Sequence, residues 1–249
     1  MCCNGRMSAP SNSSDEEAPE QEPPIPAVTA RGIRMKGPWG PVYGPIDLDV
    51  DAGGVTVLQC PAGSGRTALL MTLSGRMRPM GGDLTVMGRT RTTAIFANSA
   101  LAGVDELDTV AESVTVRDLI TEQLRWDAVW HRLIPRADEA DLVRVCGPVF
   151  GELSLPPLTE YVEELTELDG LLLRIALANT ARPELLVVGN LDQVASDDSR
   201  ALLLGRLVEL GREQTVITAS VNDVGGYGVR AQLAVHNITR AELVGKGGE

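Results

Sequence analysis

The segment Cys60-Pro-Ala-Gly-Ser-Gly-Arg-Thr67 constrains this chain more than any other. It follows an apolar run, Val55-Thr-Val-Leu58, and opens onto Ala68-Leu-Leu-Met-Thr-Leu73, a helix-like run. Strand, glycine-rich turn and helix start, in that order, aim main-chain N–H groups and the positive end of a helix dipole at one point. That is the context a phosphate-cradling loop needs. The usual pattern is G-x-x-x-x-G-K-[ST]. Here Cys60 stands at the first glycine and Arg66 at the lysine.

The flanking sequence alternates strands and helices. Ile46-Asp-Leu-Asp-Val-Asp51 has apolar and acidic residues with period two, as a half-exposed antiparallel strand does. Asp51-Ala-Gly-Gly54 is a turn, and the helix after Thr67 is predicted to end near Gly75-Arg-Met-Arg-Pro79. Leu84–Met87 and Thr93–Phe96 are predicted as short strands. From Thr115 to Glu164 the chain is helix-rich, with Val116, Leu119, Ile120 and Leu124 on one amphipathic face. Leu171–Ala178 and Leu202–Leu210 are further helices, and Leu185-Leu-Val-Val188 reads as a buried parallel strand. Thr215–Thr218 and Gln232–Val235 are the last strands. The alternation predicts an α/β core with a helical insertion at about residues 100–170. Residues 1–27, rich in Ser, Pro and Glu, are expected to form a disordered acidic tail, and 28–249 the folded domain.

Composition narrows the partners. The chain has 249 residues and a formal net charge of −12, which argues against nucleic-acid binding. Aromatics make up 3%, so the core must be built from Leu, Val, Ile and Ala. No window approaches the roughly 18 to 20 consecutive apolar residues of a membrane-spanning helix, and no apolar signal region is visible at the N-terminus. Cys2, Cys3, Cys60 and Cys146 form neither a disulfide framework nor zinc spacing.

Taken in order, these segments resemble the nucleotide-binding subunits of ATP-binding cassette (ABC) transporters. Arg31-Gly-Ile and Gly44-Pro-Ile-Asp-Leu-Asp-Val50 look like that family's N-terminal β-subdomain, and Val55–Leu70 like its Walker A unit. Gly81–Gly88 resembles the family's GGxxxxxG turn, and Val114-Thr-Val-Arg-Asp-Leu119 the segment that opens its helical subdomain. Leu165-Thr-Glu-Leu-Asp169 stands at the signature position. Without a gap, Arg182-Pro-Glu-Leu-Leu-Val-Val188 then falls on the Walker B strand, and Thr215–Val221 on the switch strand. The resemblance implies a P-loop NTPase-type α/β core with an N-terminal antiparallel β-subdomain and an inserted helical subdomain. It also implies ATP and Mg²⁺ as ligands and an integral-membrane transporter subunit in trans. Pairing would be with a second copy or another ATP-binding subunit, at the cytoplasmic, inner face of the cell membrane.

Residue by residue, the resemblance sets Gly63, Ser64, Gly65, Arg66, Thr67 and Ala68 around the phosphates, with the Thr67 hydroxyl on Mg²⁺. Trp39 lies about where the family places an adenine-stacking aromatic, with Tyr43 as a rival, and Asn98 stands near the Q-loop glutamine. The hydrolytic positions are altered. Gly189 replaces the Walker B carboxylate, Asn190 the general base and Val221 the switch histidine. Asp192 lies three residues past Gly189 but faces a different part of the turn in the family pattern. At the signature, Leu165, Thr166, Glu167, Leu168 and Asp169 carry two acids where the family has glycines that meet a phosphate. The expectation is an ATP-binding subunit with weak or absent hydrolysis. The alternatives are a nucleotide-free scaffold and an active ATPase using unusual residues.

Overall fold

The computed structural model describes residues 26–38, 40–61, 65–104, 113–129, 131 and 133–235. The chain first lays down β1 (Pro26–Gly37), β2 (Gly40–Asp51) and β3 (Gly54–Gln59), then α1 (Arg66–Leu73), β4 (Gly81–Val86), α2 (Thr92–Ala97) and β5 (Ser99–Ala102). Helices α3 (Val116–Asp127), α4 (Glu139–Phe150) and α5 (Glu167–Ala178) follow. After them come β6 (Leu185–Asn190), α6 (Asp197–Leu210), β7 (Thr215–Ser220) and β8 (Ala231–Ala234). Among the described residues, no helix is long and apolar enough to cross a membrane.

Two sheets result. One is three-stranded and antiparallel, in the order β2-β1-β4. Its β2 follows the expected alternation, with Ile46, Leu48 and Val50 buried and Asp47 and Asp49 exposed. The other is five-stranded, in the order β5-β6-β7-β3-β8, with every pair parallel. A parallel sheet covered on both faces needs apolar side chains on both sides of each strand. Strand β6 shows this: Leu186 and Val188 enter one core with α3 to α6, while Leu185 and Val187 enter the other, against α1 and the antiparallel sheet.

Helix α1 is fixed to the antiparallel sheet by Leu69, Leu70 and Leu73 and by one buried polar contact. The Thr72 hydroxyl donates to the Ala68 carbonyl at 2.8 Å, so the Tyr43 hydroxyl, 2.7 Å away, donates to Thr72. Helices α3 and α4, between β5 and β6, begin with capping boxes at Thr115/Asp118 and Asp138/Asp141. Of the predicted face of α3, Val116, Ile120 and Leu124 are buried, and Leu119 is half-buried against the same core.

The sequence reading differs from the structure in three places. Thr93–Phe96 is helix, not strand: Ile95 is buried, and the backbone of Gly75 packs closely on Thr92 and Phe96. A four-residue apolar run cannot tell helix from strand by period. The strand at this point is Ser99-Ala-Leu-Ala102, whose small residues carry little β signal. Finally, Pro26 and Ala27 already belong to β1, with Ala27 buried, whereas residues 1–25 of the expected tail lie outside the described residues.

Candidate functional site

The carboxyl ends of β3, β6 and β7 converge: Gln59 pairs with Ser220, and Asn190 with Ala219. The crevice outside such strand ends is where open α/β sheets bind ligands. Arg66, Thr67 and Ala68, all half-buried, open α1 here. Gly65 is the helix N-cap at φ 73°, and a Cβ on it would lie 2.1 Å from the Val42 carbonyl oxygen. Gly65 is thus pressed against β2, and only glycine permits that approach. Gly63, Ser64 and Trp39 lie outside the described residues.

Arg66 does not point into empty space. Its Nη1 donates to the Asp192 carboxylate at 3.1 Å and to the Asn190 amide oxygen at 3.2 Å. Asp192 in turn accepts from the Ser220 hydroxyl at 3.1 Å and from the Val221 N–H at 2.9 Å. Its own N–H donates to Asn190 Oδ1 at 3.1 Å. The short 3-10 turn Leu191–Gln193 after β6 swings Asp192 back over the end of β7 and produces this arrangement.

Gly189, buried in β6, is shaped by its neighbours. Its carbonyl accepts from Thr218 Oγ1 at 2.7 Å. A Cβ there would stand 1.8 Å from the Gly103 carbonyl oxygen and 2.9 Å from Gln193 Nε2. That amide of Gln193 donates to the Gly103 carbonyl at 2.6 Å and to the Asn190 carbonyl at 2.9 Å. Main chain from the end of β5 therefore fills the space a side chain at position 189 would take.

The acids at positions 165–169 are used locally. Thr166 caps α5, accepting from the Asp169 N–H at 3.1 Å and donating to its carboxylate at 2.7 Å. The Glu167 carboxylate accepts the Ala195 N–H at 2.9 Å, tying α5 to the connection after β6. Both carboxylates sit in the first helical turn, where the helix dipole favours negative charge. Leu168 is buried in the core and Leu165 packs against it.

No protein-family model matches the chain. Over 113 residues it is 26% identical to the cytochrome c biogenesis ATP-binding export protein CcmA of Pseudomonas putida, a match covering 43% of this chain and 54% of CcmA. The chain thus spans about half the length of the curated relative it matches. The putative ABC transporter ATP-binding protein of Pyrococcus furiosus superposes with a TM-score of 0.64 at 19% identity, covering 83% of this chain and 96% of its own. The protein cbiO1 of Clostridium perfringens, part of the ABC transporter complex cbiONQ, gives 0.65 at 13% identity, covering 89% and 94%. The chain thus has the fold of ABC transporter ATP-binding proteins and a partial sequence likeness to them.

One position that the ABC resemblance singled out, Asn98, stands away from the crevice. Asn98 is the C-cap of α2 and immediately precedes β5, so it sits at the amino end of the parallel sheet, away from the crevice. Its amide turns back to the Ala94 carbonyl at 2.8 Å. The carboxyl end of β5 is Ala102, followed by Gly103 and Val104. Tyr43 is buried with its hydroxyl on Thr72, so it offers no face to a base. Val221, 38% exposed, contributes only main chain: its N–H goes to Asp192, and its carbonyl accepts from Gln59 Nε2 at 3.5 Å.

Cys60 is free of the strain a glycine position suggests. It is not among the residues with positive φ, its N–H donates to the Ser220 carbonyl at 3.0 Å, and its side chain is buried. Burial pushes its thiol from 9.0 up to about 11, partly offset by the nearby positive charge of Arg66. Burial likewise drives Cys146 up to about 12. The sign follows from linkage. Below the unfolded value both states keep the proton and the stabilising contribution is complete; as pH rises past it, the unfolded thiol ionises first. Stability against denaturant is therefore expected to fall as pH climbs from 9.0 toward about 11, and replacing Cys60 by Ala should flatten that fall. Unfolding curves on either side of pH 9.0 measure it.

The residues at hand do not fit a resident Mg²⁺. Such a site usually supplies one or two carboxylates plus phosphate oxygens. Gly189 has no side chain, Asn190 is neutral, and the Asp192 carboxylate is already neutralised by Arg66. Among the described residues no cluster of three or more His, Cys, Asp or Glu could hold a metal ion.

Proposed function

We propose that this protein is an ATP-binding cassette subunit that binds nucleotide and hydrolyses it weakly or not at all. It would act at the inner face of a membrane, with an integral-membrane partner supplied in trans. The observation that carries the reading is an asymmetry within one crevice. The phosphate-facing side survives, as Arg66 and Thr67 at the start of α1 behind Gly65, while positions 189 and 190 carry no carboxylate.

Arg66, Thr67 and Ala68 begin the helix, and their main-chain N–H groups have no carbonyl partner within it, which suits phosphate oxygens. The Arg66 guanidinium supplies a charged, forked donor. Hydrolysis asks for more: a water must be oriented and its proton accepted. The Asn190 amide can orient a water, but a neutral amide is not a base at neutral pH. Binding is expected not to depend on Mg²⁺, given the donor set. The membrane partner and pairing through a dimer interface are carried over from the resemblance to ABC transporter subunits. Glu167 and Asp169 at the signature would set negative charge toward a partner's phosphate and weaken that contact.

A nucleotide-free scaffold is the second reading, and the Arg66–Asp192 pair is what favours it, since the cation is already matched. Calorimetric titration with ATP, with and without Mg²⁺, decides between them. Comparable binding in both conditions supports the proposal. No heat of binding at millimolar ATP leaves the scaffold.

A further inference from the structure

Asp192 sits in the crevice as an anion supplied by the chain itself. Its Oδ2 receives Arg66 Nη1 at 3.1 Å and the Val221 N–H at 2.9 Å, and its Oδ1 receives the Ser220 hydroxyl at 3.1 Å. Asn190 Oδ1 bridges the same two partners, accepting from Arg66 at 3.2 Å and from the Asp192 N–H at 3.1 Å. These contacts join the start of α1, the turn after β6 and the end of β7, the three elements that border the crevice. The Arg66 and Asp192 side chains are only 16% and 19% exposed, so solvent screens the pair weakly. A carboxylate held by a guanidinium, a hydroxyl and a main-chain N–H resembles, in donor types, a bound phosphate oxygen pair.

We infer that the Asp192 carboxylate is an internal competitor for Arg66, a latch that closes the phosphate site and that an incoming nucleotide must displace. The inference rests on the nucleotide-binding reading above. It gives Asp192 a role in setting affinity, through Arg66, rather than in contacting substrate. The latch also reports outward. When nucleotide takes Arg66, Asp192 loses its cationic partner, and its hold on the Val221 N–H and the Ser220 hydroxyl weakens, so the end of β7 loosens.

The competition has a numerical signature. Apparent affinity is reduced by the fraction of molecules in the open state, so a latch shut about nine-tenths of the time costs about tenfold. The test is calorimetric titration of the full chain with ATP in EDTA, using wild type, Asp192→Asn and Ser220→Ala. Asp192→Asn keeps an acceptor for the Val221 N–H but removes the charge, and ATP should bind about tenfold tighter. Ser220→Ala leaves the carboxylate and removes one of its holds, so the gain should be smaller and of the same sign. If Asp192→Asn fails to fold, as its melting curve would reveal, Ser220→Ala decides. In wild type, ATP should also speed hydrogen exchange at the Val221 amide, a change that a purely structural Asp192 would not produce. Equal or weaker ATP binding by the variants overturns the latch and leaves nucleotide binding standing. Absence of binding by all three proteins at millimolar ATP overturns both.

Discussion

Replacing Gly189 by aspartate is expected to lower the melting temperature by roughly 10 °C and to leave ATP hydrolysis unrestored. Family pattern alone would make this substitution the obvious repair, since it returns the carboxylate of the Walker B strand. The packing forbids it. A Cβ at position 189 would stand 1.8 Å from the carbonyl oxygen and 2.7 Å from the carbonyl carbon of Gly103, both main chain. The Gly103 carbonyl is also held by Gln193, whose Nε2 donates to it at 2.6 Å. Forcing β5 and β6 apart, and burying a carboxylate without a cation beside it, should cost about 3 to 5 kcal/mol. Thermal denaturation followed by circular dichroism gives the first result, and a phosphate-release assay on whatever folds gives the second. An aspartate variant as stable as wild type would mean that the Gly103–Gly189 contact does not define the site.

Replacing Gly65 by alanine attacks the other side of the crevice. Gly65 has φ 73°, and an alanine Cβ would meet the Val42 carbonyl oxygen at 2.1 Å and its carbon at 2.8 Å. The left-handed conformation and the clash together should cost about 2 to 5 kcal/mol. Position 65 can escape only by moving off β2, which carries the start of α1 away from Asn190 and Asp192. Nucleotide binding should therefore be lost even in molecules that remain folded. Denaturant unfolding measures the first effect and calorimetric titration the second. Wild-type stability together with wild-type binding would refute the assigned role of Val42 as the surface on which Gly65 rests.

These two glycines show what the sequence revealed and what it withheld. Gly65 was legible: a glycine before a helix start, after an apolar strand, has few other uses. Gly189 was legible as a missing carboxylate, but not as a packing position, because that depends on Gly103, just past a strand of small residues with no strand signature. The misassigned Thr93–Phe96 has the same origin: the nearby edge strand Ser99–Ala102 is short and weakly apolar, and it shifted the assignment of Asn98 with it. Strands β2 and β6 were readable because period two and an unbroken apolar run are direct consequences of one-sided and two-sided burial. Asp192 could be seen in the sequence but not its direction. A spacing of three after Gly189 says nothing about where a 3-10 turn will aim a side chain, and its partners Arg66, Ser220 and Val221 come from two other elements.

Under the proposed function the crevice holds phosphate and lacks hydrolytic machinery. Phosphate release at saturating ATP and Mg²⁺ tests that most directly, on wild-type protein shown by calorimetry to be fully loaded, with Asn190→Glu measured in parallel. No steady release above the protein-free rate is expected from either protein, since a base at 190 alone still lacks a metal ligand at 189. Sustained multiple turnover by the wild type, abolished by Arg66→Ala, would contradict the proposal.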